Sequence, residues 1–387
     1  MHFTNDRLSQ PHFDWQLFLG AYALALFGVL AVTITNYDPS LGADRSLIEL
    51  VMDSYNGRWQ AAFVLVSFIA VGGMMSINYQ FLGRVWPFLY IANVALLTMV
   101  LASEAISGMS GWFTIIWDRT IQPSELAKVA VILSLSKELS RHEKPVPTFR
   151  YFIRLCVHIG IPLILIIAQP DIGTMLVFIV IFFCLLLMSG FPIKYWLALV
   201  GVGLVVCVIA GFYLQSTNNW RWLRLTAFIN PEGDPNGSGF QTLQAMSAVG
   251  AGGLTGVGMF QEGTLTQLNY VPENHTDFIF SSIAETMGFV GCMLLLALYA
   301  FVIFRMLRLS YHTSERFGRL IIVGVASMLI FHMFENVGMN IGVMPITGIP
   351  LPFISYGGSN LIANMAGIGL VLNVTSRKPG TRATGAA

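Results

Sequence analysis

The sequence predicts an all-α polytopic membrane protein of about ten transmembrane helices. Three observations carry the prediction. First, 55% of the chain is hydrophobic and only 11% charged, with a mean hydropathy of +0.69, whereas a soluble domain carries about 25% charged residues. Second, apolar runs near the length of a membrane crossing, roughly 20 residues, recur ten times. Third, the basic residues are unevenly shared: 15 of the 21 Lys and Arg fall on one side if the N-terminus is inside.

Taken in order, the expected spans are about 15–36, 58–77, 85–105, 122–140, 152–168, 171–189, 193–214, 277–306, 317–340 and 356–376. The first is too long for a signal-peptide core and lacks an obvious small-residue cleavage site, so it reads as a retained helix. The fourth carries Glu125 and Lys128. The fifth and sixth are joined by the tight turn "AQPDIG". With both ends inside, Arg7, Arg84, Lys194, the 137–154 loop, the 305–319 loop and the C-terminal tail are cytoplasmic. The chain reads as one integral membrane domain, 1–387, with one long extracytoplasmic loop, about 215–276, between helices 7 and 8. Its aromatic and aliphatic residues predict short amphipathic helices on the outer surface. Loops of this length are functional or disordered.

Composition also excludes. A net charge of +1 argues against nucleic acid as a partner. The four cysteines all lie in apolar runs without a CxxC pair, so neither a zinc site nor a disulfide framework is expected. The glycine-rich stretch 250–258 matches neither GxGxxG nor a Walker A and reads as loop and turn.

This topology gathers charges at one depth. Glu125 and Lys128 lie in the first two turns of span four, roughly 5–10 Å below the outer end at 1.5 Å per residue. Asp171 opens span six and Asp277 opens span eight on the outer side. Glu104 ends span three there, and Glu335 lies near the outer end of span nine. Glu285 sits eight residues into span eight. Embedded ionisable groups cost about 2.5–3.5 kcal/mol each on insertion scales and so face a cavity or one another; a polar cavity open to the outside accounts for the set. Each residue also has a structural reading. Glu125 and Lys128, like His332 and Glu335, are spaced i, i+3 and can pair. Asp277 suits a helix start capped by Thr276. Glu273 and His275 read as rim residues with no task.

Five motifs, "QPSELAK" (122–128), "QPDIGT" (169–174), "RLTAFINPEGDPNGSGFQTLQA" (224–245), "HTDFIFSSIAETMG" (275–288) and "GIPLPFISYGGSN" (348–360), in that order, resemble the SEDS family of bacterial cell-wall polymerases. The stretch "FENVGMNIGVMPITGIPLPF" is more similar to its RodA (elongation) branch than to its FtsW (division) branch. The resemblance implies the ten-span SEDS fold in the bacterial cytoplasmic membrane, with the active site facing outside. It implies peptidoglycan glycosyltransferase activity on lipid II and partnership with a class B penicillin-binding protein transpeptidase and other elongation-complex membrane proteins. The family's essential external-loop aspartate falls on Asp277, its Glu and Lys of the fourth helix on Glu125 and Lys128, and its "QPD" aspartate on Asp171.

The reaction such an enzyme performs needs a base for the acceptor hydroxyl and positive charge for the leaving diphosphate. Asp277 is the candidate base, with Glu285 as a buried neighbour able to raise its pKa. Lys128, Arg119, Arg221 and Arg224 are the outward cations near enough to meet a diphosphate, although "WRWLR" equally suits an interfacial helix. A divalent cation, Mg2+ or Mn2+, is compatible with carboxylates and phosphate oxygens; no spacing demonstrates one. A second class of function, a lipid II flippase, would suit the same cavity but calls for polar residues at both depths or an inverted repeat. The sequence shows neither.

Overall fold

A computed structural model of the chain describes residues 12–37, 45–102, 111–114, 120–141, 148–217, 220–234 and 237–377. Ten long helices are present among them: α1 (Trp15–Thr35), α3 (Tyr55–Ser76), α4 (Tyr79–Leu101), α5 (Pro123–Ser140), α6 (Phe149–Ala168), α7 (Ile172–Met188), α8 (Ile193–Ser216), α11 (Ile279–His312), α12 (Arg316–Asn340) and α13 (Gly358–Ser376). Each overlaps one of the ten expected spans. Shorter helices are α2 (Leu47–Asp53), α9 (Trp220–Ile229) and α10 (Ser238–Ala251); Phe113–Thr114 (β1) and Thr120–Ile121 (β2) form a two-residue antiparallel ladder. The protein is a multi-pass, all-α membrane protein.

Seven of the helices are long and apolar enough to cross a membrane by themselves: α1, α3, α4, α6, α8, α11 and α12. α7 is apolar but short at 17 residues. α5 and α13 are diluted by polar side chains, and they are held by burial. Glu125, Lys128, Ser134 and Glu138 of α5, and Asn360, Asn364 and Asn373 of α13, are all buried. A polar group in the bundle is tolerated only when it finds a partner there.

Several boundaries differ from the hydropathy reading because caps set them. Ser54 accepts from Gly57 N and starts α3 three residues early. Asn78 accepts from Gln80 N and starts α4 at Tyr79. α11 begins two residues later than expected, after Phe278, with no side-chain cap; Thr276 is therefore not its N-cap and instead donates to Glu273. α11 also runs beyond Arg305, whose guanidinium grips Asp14, the N-cap of α1, through Nε and Nη2 at 2.6–3.1 Å.

α12 forms the centre, packing against α11, α7, α5 and α13, with α13 laid against α3. α8 is peripheral: Tyr195 is its one buried residue. In the segment between α8 and α11, α9 and α10 follow one another and α10 packs on α11. The glycine-rich stretch serves a backbone purpose. α11 breaks at Gly288, whose φ is +66°, a region open mainly to glycine. Residues 253–258 replace the lost helical bonds: Val257 N and Gly258 N donate to the carbonyls of Glu285 and Thr286 at 2.9 and 3.1 Å, and Phe289 N and Val290 N donate to Gly253 and Leu254 at 2.9 and 3.1 Å. A side chain at Gly256 would run into the Thr286 carbonyl.

Candidate active site

Four helix starts (α5, α7, α11, α13) and one helix end (α12) meet at one end of the bundle. Their contacts show the convergence. Gln122, just before α5, donates from Nε2 to Asp171 Oδ2 at 3.1 Å and from its backbone N to Ser359 Oγ of α13 at 3.2 Å. Asp171 caps α7, accepting from Thr174 N at 2.9 Å. Asn336 and Asn340 of α12 reach the backbone oxygen of Asp277 at 2.8 and 3.1 Å. The strip 344–357 threads between these ends. Thr347 donates to Glu335, the Thr347 carbonyl faces Gly173, and Ser355 Oγ donates to the Thr276 carbonyl at 2.6 Å.

Asp277 stands in this junction, two residues before α11. Gly348 lies against its carboxyl: a Cβ built there would lie 3.4 Å from Asp277 Oδ2, in ordinary van der Waals contact. Part of the residue still reaches solvent, but its carboxyl lies deep among protein atoms, and that burial pushes its pKa up to about 7. The negative charges of Glu273 and Asp171 push the same way, while Arg224 of α9 pulls back. Arg224 is itself partly desolvated, which lowers its pKa, and Asp277 opposes that effect. A carboxyl that titrates near neutrality can accept a proton at physiological pH, which an ordinary aspartate does poorly.

A second group lies inside the bundle. Lys128 is 1% exposed and Glu125 2%. Lys128 Nζ donates to Glu125 Oε1 at 2.8 Å and contacts His332 Nε2 of α12 at 3.0 Å. Lysine has donors only, so Nε2 of His332 accepts and the ring is the neutral tautomer protonated at Nδ1. Glu125 Oε2 and Glu335 Oε2 are buried without a hydrogen bond to a described group.

The structure thus brings together Asp277, Asp171 and Arg224, and separately joins Glu125 to Lys128. It corrects two local pairings. His332 and Glu335 do not pair with each other: His332 turns to Lys128 and Glu335 to Thr347. Glu285 does not face Asp277. Its carboxylate accepts from Leu265 N and Thr266 N at 2.6 and 2.9 Å and from the Thr266 hydroxyl, pinning the segment before Asp277. Glu273, read as an idle rim residue, acts on Asp277 by charge. Arg119 and Glu104 lie outside the described residues, as does the side chain of Arg221. Gln122, Asn336, Asn340 and Gly348 were missed; the signal for the asparagines was their i, i+4 spacing in "ENVGMN" on an otherwise apolar helix. Among the described residues no group of three His, Cys, Asp or Glu forms a metal cage.

Residues 16–379 match the FtsW/RodA/SpoVE family model, described as "Cell cycle protein". The chain belongs to that family. This family member is 39% identical to peptidoglycan glycosyltransferase MrdB of Escherichia coli K12 over 294 residues, 76% of this chain and 78% of MrdB. Its fold resembles a chain from the structure described as "Structural coordination of polymerization and crosslinking by a peptidoglycan synthase complex", with a TM-score of 0.77 and 28% identity over 94% of this chain and 97% of that one. The crystal structure of the rod shape determining protein RodA of Thermus thermophilus is similar too, with a TM-score of 0.67 and 27% identity, covering 94% of this FtsW/RodA/SpoVE protein and 96% of RodA.

Proposed function

We propose that this protein is a peptidoglycan glycosyltransferase that polymerises lipid II into β-1,4-linked glycan during cell elongation, working with a class B penicillin-binding protein. The observation that carries the mechanism is Asp277: a carboxyl that burial raises to a pKa of about 7, with Arg224 acting on it by charge, at the meeting point of five helix ends. Family membership and the relative named peptidoglycan glycosyltransferase support the activity.

The acceptor hydroxyl of one lipid II molecule attacks the sugar carbon that bears the α-linked diphosphate of another. Asp277 takes the hydroxyl proton as the C–O bond forms, and the C–O bond to undecaprenyl diphosphate breaks with inversion. One displacement needs one base, and no second carboxylate is required to hold a covalent sugar. Arg224 offers charge to the leaving diphosphate. Lys128, enclosed by Glu125 and His332, ties α5 to α12 inside the bundle. Mg2+ or Mn2+ would need only one or two of the carboxylates Asp277 and Asp171 besides substrate phosphates, and would then share the diphosphate charge with Arg224. On this reading both termini are cytoplasmic and the site opens outward, where the basic loops are scarce.

The test is polymerisation of fluorescent lipid II by the purified protein with its penicillin-binding partner in detergent. Glycan ladders are the expected product. No glycan, together with passage of lipid II across liposomes bearing the protein, would replace the enzyme with a flippase.

A further inference from the structure

Two buried side chains converge on a single backbone atom. Asn336 and Asn340 are both 0% exposed and stand one turn apart on α12. Asn336 Nδ2 donates to the Asp277 oxygen at 2.8 Å and to the Ile349 oxygen at 2.8 Å. Asn340 Nδ2 donates to the same Asp277 oxygen at 3.1 Å and to the Asn336 carbonyl at 2.8 Å, while its Oδ1 accepts from Ser281 N at 2.9 Å. An amide nitrogen has two hydrogens, so both of those on Asn336 are committed to this junction.

The geometry constrains the carboxyl. The Asp277 carbonyl belongs to the peptide that leads into α11, and α11 starts without a side-chain cap. Ser281 N and Ser282 N turn to Phe278, not to Asp277. Fixing the Asp277 oxygen therefore fixes the peptide from which its Cα–Cβ bond departs. The other bond of Asn336 fixes Ile349, the neighbour of Gly348, and Gly348 is the surface that the Asp277 carboxyl faces. One amide thus holds both the acid and the wall opposite it. A stranded carbonyl is satisfied by one donor; here two arrive, and one of them also secures the facing strip.

We propose that Asn336 and Asn340 are positioning residues for Asp277, aiming its carboxyl at Gly348 and keeping it in its enclosed place. The inference rests on the reading of Asp277 as the base. Three charged groups bear on that carboxyl: Glu273 in its own loop, Arg224 from α9 and Asp171 at the start of α7. From α12 the described contacts are the two amides, Glu335 being turned to Thr347. If an amide is lost, the carboxyl gains freedom to move toward water, where its ionised form is favoured.

The experiment measures kcat, KM for lipid II and the pH profile of polymerisation for Asn336→Leu and Asn340→Leu in complex with the penicillin-binding partner. Asn373→Leu is the control. Asn373 also donates to two carbonyls, those of Met74 and Ile77, and accepts from Tyr79 N, in the α3–α4 turn away from Asp277. Asn336→Leu is expected to lower kcat by about 10- to 100-fold, the scale of lost alignment at a catalytic group, with KM within about twofold. The acid limb should move to lower pH as the carboxyl regains water. Asn340→Leu should do the same to a smaller degree, and it carries the test if Asn336→Leu does not fold. Asn373→Leu should lower the melting temperature and leave the acid limb in place. If Asn336→Leu and Asn340→Leu lose activity only in step with folded protein and keep the wild-type limb while Asp277→Asn is inactive, the positioning role is wrong and the base assignment stands. If Asp277→Asn polymerises like wild type, the base assignment falls and the positioning role with it.

Discussion

Lys128 Nζ lies 3.0 Å from His332 Nε2 and 2.8 Å from Glu125 Oε1, so a single ammonium joins α5 to α12 inside the bundle. The helix that carries His332 also carries Asn336, one turn on, which grips Asp277. One helix, α12, thereby contacts both the buried cation of α5 and the backbone of Asp277.

The first prediction concerns that cation. Removing one member of a buried pair strands the other and costs about 3–5 kcal/mol. Lys128→Met should therefore be strongly destabilised, because Glu125 is left buried and charged. The double variant Glu125→Gln/Lys128→Met should recover a large part of the loss. Thermal melts in detergent check this; simple additivity of Glu125→Gln and Lys128→Met would show that the two do not act as a pair.

His332 separates acceptor from shape. His332→Gln keeps an acceptor for Lys128 and should retain most stability and activity, whereas His332→Leu should lose about 1–3 kcal/mol, the cost of an unmet buried donor. Equal melting temperatures for the two variants would remove the Lys128 contact from the account.

Charge neighbours of Asp277 should move the pH profile in opposite directions. Polymerisation by wild type should fall as pH drops through about 7, as Asp277 takes up its proton. Glu273→Gln deletes a negative neighbour, eases ionisation and should shift that limb to lower pH. Arg224→Gln deletes a positive neighbour and should shift it to higher pH. Shifts of the same sign in both would contradict the electrostatic reading.

Stability should show the converse cost of that tuning. Asp277 has a folded-state pKa raised above 3.8. The folded state thus binds its proton more tightly than the unfolded chain, and this contribution is full below about pH 4 and lost as pH rises through about 7. Asp277→Asn cannot ionise. Its melting temperature relative to wild type should rise from pH 4 to 7 and then level off; a flat difference would mean that the carboxyl is not desolvated in the folded protein.

The kink in α11 gives a test of the fold. Gly253 and Gly256 both have positive φ, +52° and +80°, but an added Cβ meets nothing at Gly253 and meets backbone at Gly256. Gly253→Ala should cost about 1–2 kcal/mol, the left-handed strain alone, and Gly256→Ala distinctly more. Comparable melting temperatures would mean that the glycine-rich stretch does not pack on the break at Gly288.

What the sequence made legible follows from what each rule can see. Apolar length exposes a helix that faces lipid, so the ten spans were readable, including α5 despite its charges. Local spacing sees only partners on the same helix. That worked for Glu125 and Lys128 and failed for His332 and Glu335, whose partners come from α5 and the 344–357 strip. Glu285 was assigned by depth to the neighbourhood of Asp277, yet its oxygens are taken by Leu265 and Thr266, whose approach depends on the path of a long loop. Caps such as Ser54 and Asn78 are polar, so a hydropathy window trims the helix starts that they set. Gly348 was visible within "GIPLPFISYGGSN" only as part of a motif, because its contact with a carboxyl arriving from another segment exists only in three dimensions.

One comparison decides whether Asp277 is the base: the initial rate of lipid II polymerisation at pH 8 by wild type and Asp277→Asn, each purified with the penicillin-binding partner and matched for folded fraction and complex formation. Asparagine keeps the shape and both neighbours on α12 but cannot take the proton. The variant should lose at least about 100-fold, the low end of what a positioned base contributes; rates within a few-fold of each other would mean that Asp277 is not the base.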